Sequence, residues 1–108
     1  MAYKMGKYIQ VFTTVGSKKS AAKIADTLVD ENLAACVQVV GPIHSTYIWK
    51  GKREKATEWL CIIKSKKTLY GKIEKRIRSM HSYSLPEITT AEISGERKYL
   101  AWIDRETK

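Results

Sequence analysis

The first third of the chain shows a strand pattern followed by a helix pattern. Residues 7–15 are rich in β-branched and aromatic side chains and Gly16 follows them, which predicts a first strand. Ser17 is suited to the N-cap of a helix, and residues 30–32 are expected to end it. The apolar residues between these ends repeat at helical spacing: Ala21, Ile24, Ala25, Leu28 and Val29. This side of the helix is expected to pack on a sheet.

The middle of the chain predicts a long antiparallel hairpin. Residues 34–40 form a second strand pattern, which Gly41-Pro42 interrupts, so we expect an edge, a bulge or a bend there. Extended structure resumes over residues 43–49. The run Lys50-Gly51-Lys52 is expected to make a tight turn, because Gly51 can adopt a positive φ. Residues 58–65, with a nearly continuous apolar centre, predict the returning third strand.

The last third of the chain predicts a helix, a strand and a terminal helix. Thr68 is expected to cap a second helix whose apolar positions include Ile73 and Ile77. Residues 81–86 are predicted to form a loop, since Pro86 discourages helix at the residue before it. Residues 87–93 predict a fourth strand, and residues 96–105 predict a short C-terminal helix.

The strand and helix order predicts one α/β (α+β) domain over residues 1–108. A βαββαβ order of this kind forms an antiparallel sheet with both helices on one face. The other face then has to be covered, and an uncovered apolar face commonly binds a second subunit. We therefore expect an oligomer assembled through the sheet edges and the uncovered face. The strands supply more apolar side chains than two helices on one face would bury: Ile9, Val11, Val37, Val39, Leu60 and Ile62. Of these, Val39 and Ile62 are expected to lie on the uncovered face.

The composition of the chain limits its predicted cellular location and binding partners. The chain has 20 Lys and Arg against 11 Asp and Glu, a net charge of +9, but these charges are spread along it and favour a solvated surface over a nucleic-acid site. Cys36 and Cys61 lie in apolar runs, which indicates free buried thiols in a reducing compartment. No segment has the length of a membrane span, and residues 1–7 lack the apolar part of a secretory signal. A cytoplasmic location is therefore expected.

Six short runs along nearly the whole chain form a recognisable sequence pattern: 33–37 (LAACV), 41–43 (GPI), 47–52 (YIWKGK), 63–65 (IKS), 81–88 (HSYSLPEI) and 99–103 (YLAWI). The 47–52 turn and the His-x-Tyr-x-x-Pro-Glu loop are the most specific. In their order and spacing, these runs resemble the CutA divalent-cation tolerance proteins. The chain departs from the family pattern at Ser82, where proline is usual, and at Phe12, where some bacterial members place a cysteine ligand.

The resemblance implies a ferredoxin-like fold assembled as a homotrimer through interlocked sheets. It also implies tolerance of copper and other divalent ions, with a signalling or scaffold role and no agreed enzymatic activity. A bound cation would be a ligand and would not be required for folding.

His81 and Glu87 are the predicted metal ligands. Imidazole nitrogen and carboxylate oxygen suit copper, zinc and other divalent ions, and a bent loop at Pro86 could bring the two together. A structural alternative is that His81 ends a helix, where positive charge is favourable, and that Glu87 pairs with a lysine.

Four more residues are predicted to line a cleft between subunits. Lys64 ends an otherwise apolar strand, and the resemblance implies that it lies in this cleft, where it would bind an anion or neutralise Glu87. The alternative is a lysine whose charge simply reaches water from a strand end. Trp49, Tyr83 and Trp102 are expected to make subunit contacts, since aromatic side chains bury large areas.

Two other functions share this strand and helix order. An RNA-recognition domain would need glycine and alternating phenylalanines in its third strand, where this chain has Trp59-Leu60-Cys61-Ile62-Ile63. An acylphosphatase-like hydrolase would need an arginine in the loop after the first strand, where residues 14–19 have none. No nucleophile, P-loop or zinc motif is present, so the chain is not predicted to be an enzyme.

Overall fold

A computed structural model describes residues 7–108, and the predicted strand and helix order is confirmed. The interpretation of the N-terminal segment concerns residues that, apart from Lys7, lie outside the described part. The elements are β1 (Tyr8–Val15), α1 (Lys18–Asp30), β2 (Cys36–Trp49), β3 (Lys52–Lys66), a 3-10 turn (Lys67–Leu69), α2 (Tyr70–Met80), β4 (Ile88–Ile93) and α3 (Arg97–Glu106).

The four strands form one antiparallel sheet in the order β2-β3-β1-β4. Successive side chains of a strand point to opposite faces. One face carries Val11 and Ile63, which are fully buried against apolar residues of α1 and α2 such as Leu28 and Ile77. The predicted α/β fold, with these two helices on one face of the sheet, is therefore confirmed.

The opposite face is covered at one end by α3. Tyr8, Leu100 and Ile103 are buried together there, with Ile93 packed against them. The terminal helix thus closes part of the face that the sequence had left uncovered.

The six apolar strand residues divide between the two sheet faces, and the placement of Val39 on the uncovered face was wrong, whereas that of Ile62 was right. Ile9 and Val11 are buried under the two helices, and Val37 packs against the same core. Val39 pairs with buried Cys61 and so also lies on the helix side. Leu60 and Ile62 do lie on the other face, opposite Thr14 and Phe12 in the register. The strands were predicted correctly, but in a strand apolar on both sides the alternation alone does not say which side faces the helices.

The helix starts show one correct cap and one error. Ser17 caps α1, where its hydroxyl accepts a hydrogen bond from the Ser20 amide at 3.1 Å. Thr68 does not cap α2, because it lies inside the 3-10 turn that precedes the helix and makes no capping hydrogen bond. α3 begins after Glu96, whose carboxylate accepts from the amides of Lys98 and Tyr99 at 3.0 and 2.9 Å.

The β2-β3 hairpin extends beyond the rest of the sheet, and the described domain is 50 Å long as a result. Its turn is the predicted one, with Lys50 at φ 52° and Gly51 at φ 78° between the paired residues Trp49 and Lys52. Such a two-residue turn with positive φ matches the twist of the two strands. The register shifts between Val40 and Ile43, so the Gly-Pro interruption is a bulge within one continuous strand.

Candidate functional site: a groove between the hairpin and the 82–87 loop

A groove of about 500 Å³ lies where the hairpin meets the 82–87 loop. Two carboxylates, three aromatic side chains and two aliphatic ones contribute to its walls. The lining residues are Thr14, Ser45, Tyr47, Ile48, Trp49, Glu58, Tyr83, Ser84, Leu85 and Glu87. Trp49, Tyr83 and Glu87, all singled out from the sequence, therefore share one groove.

A hydrogen bond between Tyr83 and Glu58 ties the loop to β3. The Tyr83 hydroxyl donates to Glu58 Oε2 at 2.9 Å, and Glu58 is only 6% exposed. Burial, followed by the hydrogen bond to Glu58, raises the pKa of Tyr83 to about 12. Tyr83 therefore stays protonated and keeps donating throughout the neutral range. Sequence analysis missed Glu58; its only signal was a charged residue at the start of a predicted apolar strand.

His81 holds the start of the loop through both of its ring nitrogens. The Tyr83 amide donates to Nδ1 at 3.2 Å, so the ring hydrogen is on Nε2, which donates to the carbonyl of Thr14 at 2.9 Å. The ring also lies 4.9 Å from the Tyr83 ring, centroid to centroid. In this arrangement the imidazole has no lone pair free for a metal ion.

Glu87 lines the groove, whereas His81 does not. The Glu87 carboxylate accepts a hydrogen bond from the Thr89 hydroxyl at 3.2 Å, and within residues 7–108 it forms no ion pair with a lysine. Over the same range, no three His, Cys, Asp or Glu side chains come close enough to hold a metal ion. The described residues of one chain therefore do not bring together a complete donor set.

The other two predicted cleft residues form a separate cluster beside α3. The Lys64 ammonium lies 5.6 Å from the centre of the Tyr99 ring, and Tyr99 lies 5.5 Å from Trp102, centroid to centroid. The cation interacts with the electron-rich ring face, which fixes the direction of the lysine. Sequence analysis named Lys64 and Trp102 but did not predict that Tyr99 would link them.

The two cysteines differ in environment. Cys61 is completely buried, and burial raises the pKa of its thiol to about 11, so it is an unreactive core residue. Cys36 is half-buried and lies opposite Lys64 in the register. The two are free thiols.

Comparison with known proteins identifies a family. The family model described as "CutA1 divalent ion tolerance protein" matches residues 9–106. The divalent-cation tolerance protein CutA of Thermus thermophilus is 38% identical over 98 residues, which cover 90% of this chain and 95% of that protein. The chloroplastic protein CutA of Arabidopsis thaliana is 37% identical over 101 residues, which cover 93% of this chain and 56% of that one. The chain thus spans little more than half the length of this plant relative.

Solved structures agree with the sequence relatives. The Thermus thermophilus divalent cation tolerance protein superposes with a TM-score of 0.91 at 36% identity, covering 94% of this chain and 99% of that one. The Oryza sativa CutA1 structure has a TM-score of 0.91 at 34% identity, covering 96% of each chain. A structure from Archaeoglobus fulgidus, described as periplasmic, has a TM-score of 0.90 at 34% identity, covering 94% of this chain and 99% of that one. None of these relatives carries the name of an enzyme.

Within residues 7–108, no helix has both the length and the apolar character needed to cross a membrane.

Proposed function

This chain belongs to the CutA1 family of divalent ion tolerance proteins, and on that premise we propose that it forms a homotrimer that binds copper or another divalent ion weakly. The predicted non-enzymatic character is in keeping with the family, whose members are named for tolerance of divalent ions. A signalling or scaffold role and a cytoplasmic location are parts of the same proposal. The relatives include proteins labelled chloroplastic and periplasmic, so location varies among them.

One observation carries the proposed assembly: the apolar part of the sheet face that α3 leaves open. Phe12, Leu60 and Ile62 are only half-buried there, and Val40 beside them is 46% exposed. The face continues along the hairpin to the exposed rings of Tyr47 and Trp49. A contiguous apolar face of this kind is stabilised when another subunit removes it from water.

The proposed ion binding draws on a partial donor set. Glu87 supplies a carboxylate at the groove, and His81 supplies the lone pair of Nδ1 only when the Tyr83 amide releases it. The donor atoms of these two residues are of the types that bind divalent ions, but two donors are too few to complete a coordination shell. We therefore propose that binding is weak in one subunit, or that a second subunit completes the donor set.

Copper titration of point variants tests the proposed ligands. We expect His81→Ala and Glu87→Gln each to weaken Cu²⁺ binding by roughly tenfold, the lower end of the loss typical for a changed ligand or its supporting shell. Isothermal titration calorimetry measures the affinity. His44→Ala is the matched control, because His44 is the second of the two histidines and is exposed on the hairpin. If His44→Ala weakens binding as much as His81→Ala, the assignment of His81 is wrong.

The solution mass tests the assembly. Light scattering should give three times the 12.3 kDa of one subunit, with and without Cu²⁺. A mass equal to one subunit would contradict the proposed trimer and leave the open apolar face unexplained. It would also make the RNA-recognition alternative the next function to test.

A further inference from the structure

The charge of the groove is opposite to that of the chain. The protein as a whole is strongly basic, with a net charge of +9. The groove, in contrast, has Glu58 and Glu87 as its only charged lining residues, and no lysine or arginine from the described part of the chain is among them. A concave surface with one sign of charge attracts the opposite sign. This inversion therefore favours a cationic ligand.

Only one oxygen of the Glu58 carboxylate accepts a hydrogen bond from the described residues. Glu58 is 6% exposed, and its Oε2 accepts a hydrogen bond from the Tyr83 hydroxyl. Its Oε1 accepts no hydrogen bond from any described residue, although the side chain lines the groove. This oxygen is not among the buried atoms without a partner, so it is open to the groove and can accept a hydrogen bond from a bound ligand. An ammonium group, with three N–H donors, satisfies such an oxygen.

The aromatic side chains suit the rest of such a ligand. Tyr47, Trp49 and Tyr83 line the groove, together with the side chains of Ile48 and Leu85. Cations are attracted to the faces of aromatic rings, and tryptophan is the strongest of these. The ring of Trp49 already has an ammonium near it, since Lys50 Nζ lies 5.8 Å from the ring centre.

The geometry points to a binding site for a small organic ammonium ion, a primary amine with an apolar stem. The ammonium lies between the two carboxylates and donates to Glu58 Oε1, and the stem contacts the aromatic and aliphatic walls. A volume of about 500 Å³ is within the range of small-molecule sites. This inference rests on the proposed function in one respect: the groove is part of the cleft proposed to lie between two subunits, and the ligand binds in the space that their contact leaves open.

A pair of probes isolates the contribution of the charge. 2-Phenylethylammonium and 2-phenylethanol have the same stem, and only the first is cationic at pH 7. We expect the ammonium to bind the assembled protein at least tenfold more tightly than the alcohol, measured by calorimetry or by changes in tryptophan fluorescence. Equal affinity for both probes, or no binding of the ammonium, would overturn the inference.

Charge-neutralising variants locate the site. Glu58→Gln and Glu87→Gln should each weaken ammonium binding by roughly tenfold, while their affinity for the alcohol stays the same. Glu106→Gln is the control, because Glu106 is exposed at the end of α3, outside the groove. Glu87 is exposed, so its variant tests the idea even if Glu58→Gln does not fold. Unchanged ammonium binding in Glu87→Gln would exclude the groove as the site.

Measurements of mass and copper binding on the same samples separate the two proposals. A trimer that binds copper but not the ammonium would overturn this inference and leave the proposed function standing. Ammonium binding that depends on Glu58 and Glu87, in a protein that neither trimerises nor binds copper, would support this inference and overturn the proposed function.

Discussion

At the scale of single residues, Thr13 places a hydroxyl group in the core without a hydrogen bond to the described part of the chain. Thr13 is fully buried on β1, and its Oγ1 receives no hydrogen bond within residues 7–108. Its register partners are Cys61 and Ile88, so its surroundings are apolar. A buried polar group that loses its water without gaining a partner lowers the stability of the fold.

Thr13→Val should therefore stabilise the protein. Valine has nearly the same shape and removes the unsatisfied hydroxyl, so we expect the free energy of unfolding to rise by about 1 kcal/mol. Urea denaturation at fixed protein concentration measures the change.

Ser65→Ala is the contrasting variant, because the buried hydroxyl of Ser65 does have a partner. It donates to the carbonyl of Leu33 at 2.7 Å. Its removal should lower the free energy of unfolding by about 1 kcal/mol. If Thr13→Val were as destabilising as Ser65→Ala, the Thr13 hydroxyl would have to be satisfied in solution.

At the scale of secondary structure, α3 is fastened to the sheet through Lys66. The ammonium of Lys66 donates to Asp104 Oδ1 and to the carbonyl of Thr107, each at 3.1 Å. Lys66, at the end of β3, thus binds the last turn of a helix that covers Tyr8. A cation at a helix C-terminus also interacts favourably with the helix dipole.

Asp104→Asn should reduce stability at pH 7 and have little effect in acid. The hydrogen bond from Lys66 lowers the pKa of Asp104 below its ordinary value in the folded protein. The contribution of the ionised Asp104 to the free energy of unfolding is therefore complete above about pH 4, and it is lost as the pH falls through the lower folded-state pKa. The effect at pH 7 should be about 0.5 kcal/mol, because the side chain is 44% exposed and the interaction is screened.

Urea denaturation at pH 7 and near pH 2 tests this expectation. Glu106→Gln, in the same helix, is the control for a general effect of removing negative charge. A difference between Asp104→Asn and the unmodified protein that stays constant down to pH 2 would show that the ion pair is not its source.

Element types followed from the sequence, whereas several local contacts did not. The positive φ of Gly51 was predictable from the residue type, and so was the disturbance at Gly41-Pro42. The reason for Gly41 was not: a Cβ at this position would collide with the indole ring of Trp59. Such contacts join residues far apart in sequence, and no local periodicity encodes them.

The candidate site likewise contains residues that the sequence predicted and residues that it did not. Trp49, Tyr83 and Glu87 were named from the sequence and do line one groove. Glu58 was not named, because its importance comes from its burial and from the Tyr83 hydroxyl. Histidine at position 81 suggested a metal ligand. The sequence could not show that both ring nitrogens are hydrogen-bonded, because their partners are backbone groups of Thr14 and Tyr83 that the fold brings close.

At the scale of the whole molecule, the open sheet face is an apolar surface that the proposed assembly would bury. A domain of 108 residues buries a limited fraction of its surface on folding, so additional burial between subunits has a large relative effect. The two sheet faces are unequal in this respect. α1 and α2 cover one face along β1 and β3, whereas α3 covers only one end of the other.

A charge on the open face should dissociate the assembly. Ile62→Glu places a carboxylate where we propose that a second subunit removes the face from water, and burying that charge without a partner costs several kcal/mol. The mass from light scattering should fall from three subunits to one. Val29→Glu is the matched control, because Val29 is 41% exposed on α1, outside the open sheet face, and this variant should remain a trimer. Circular dichroism on both variants separates dissociation from unfolding, and a folded Ile62→Glu protein with the trimer mass would mean that the subunits associate through other surfaces.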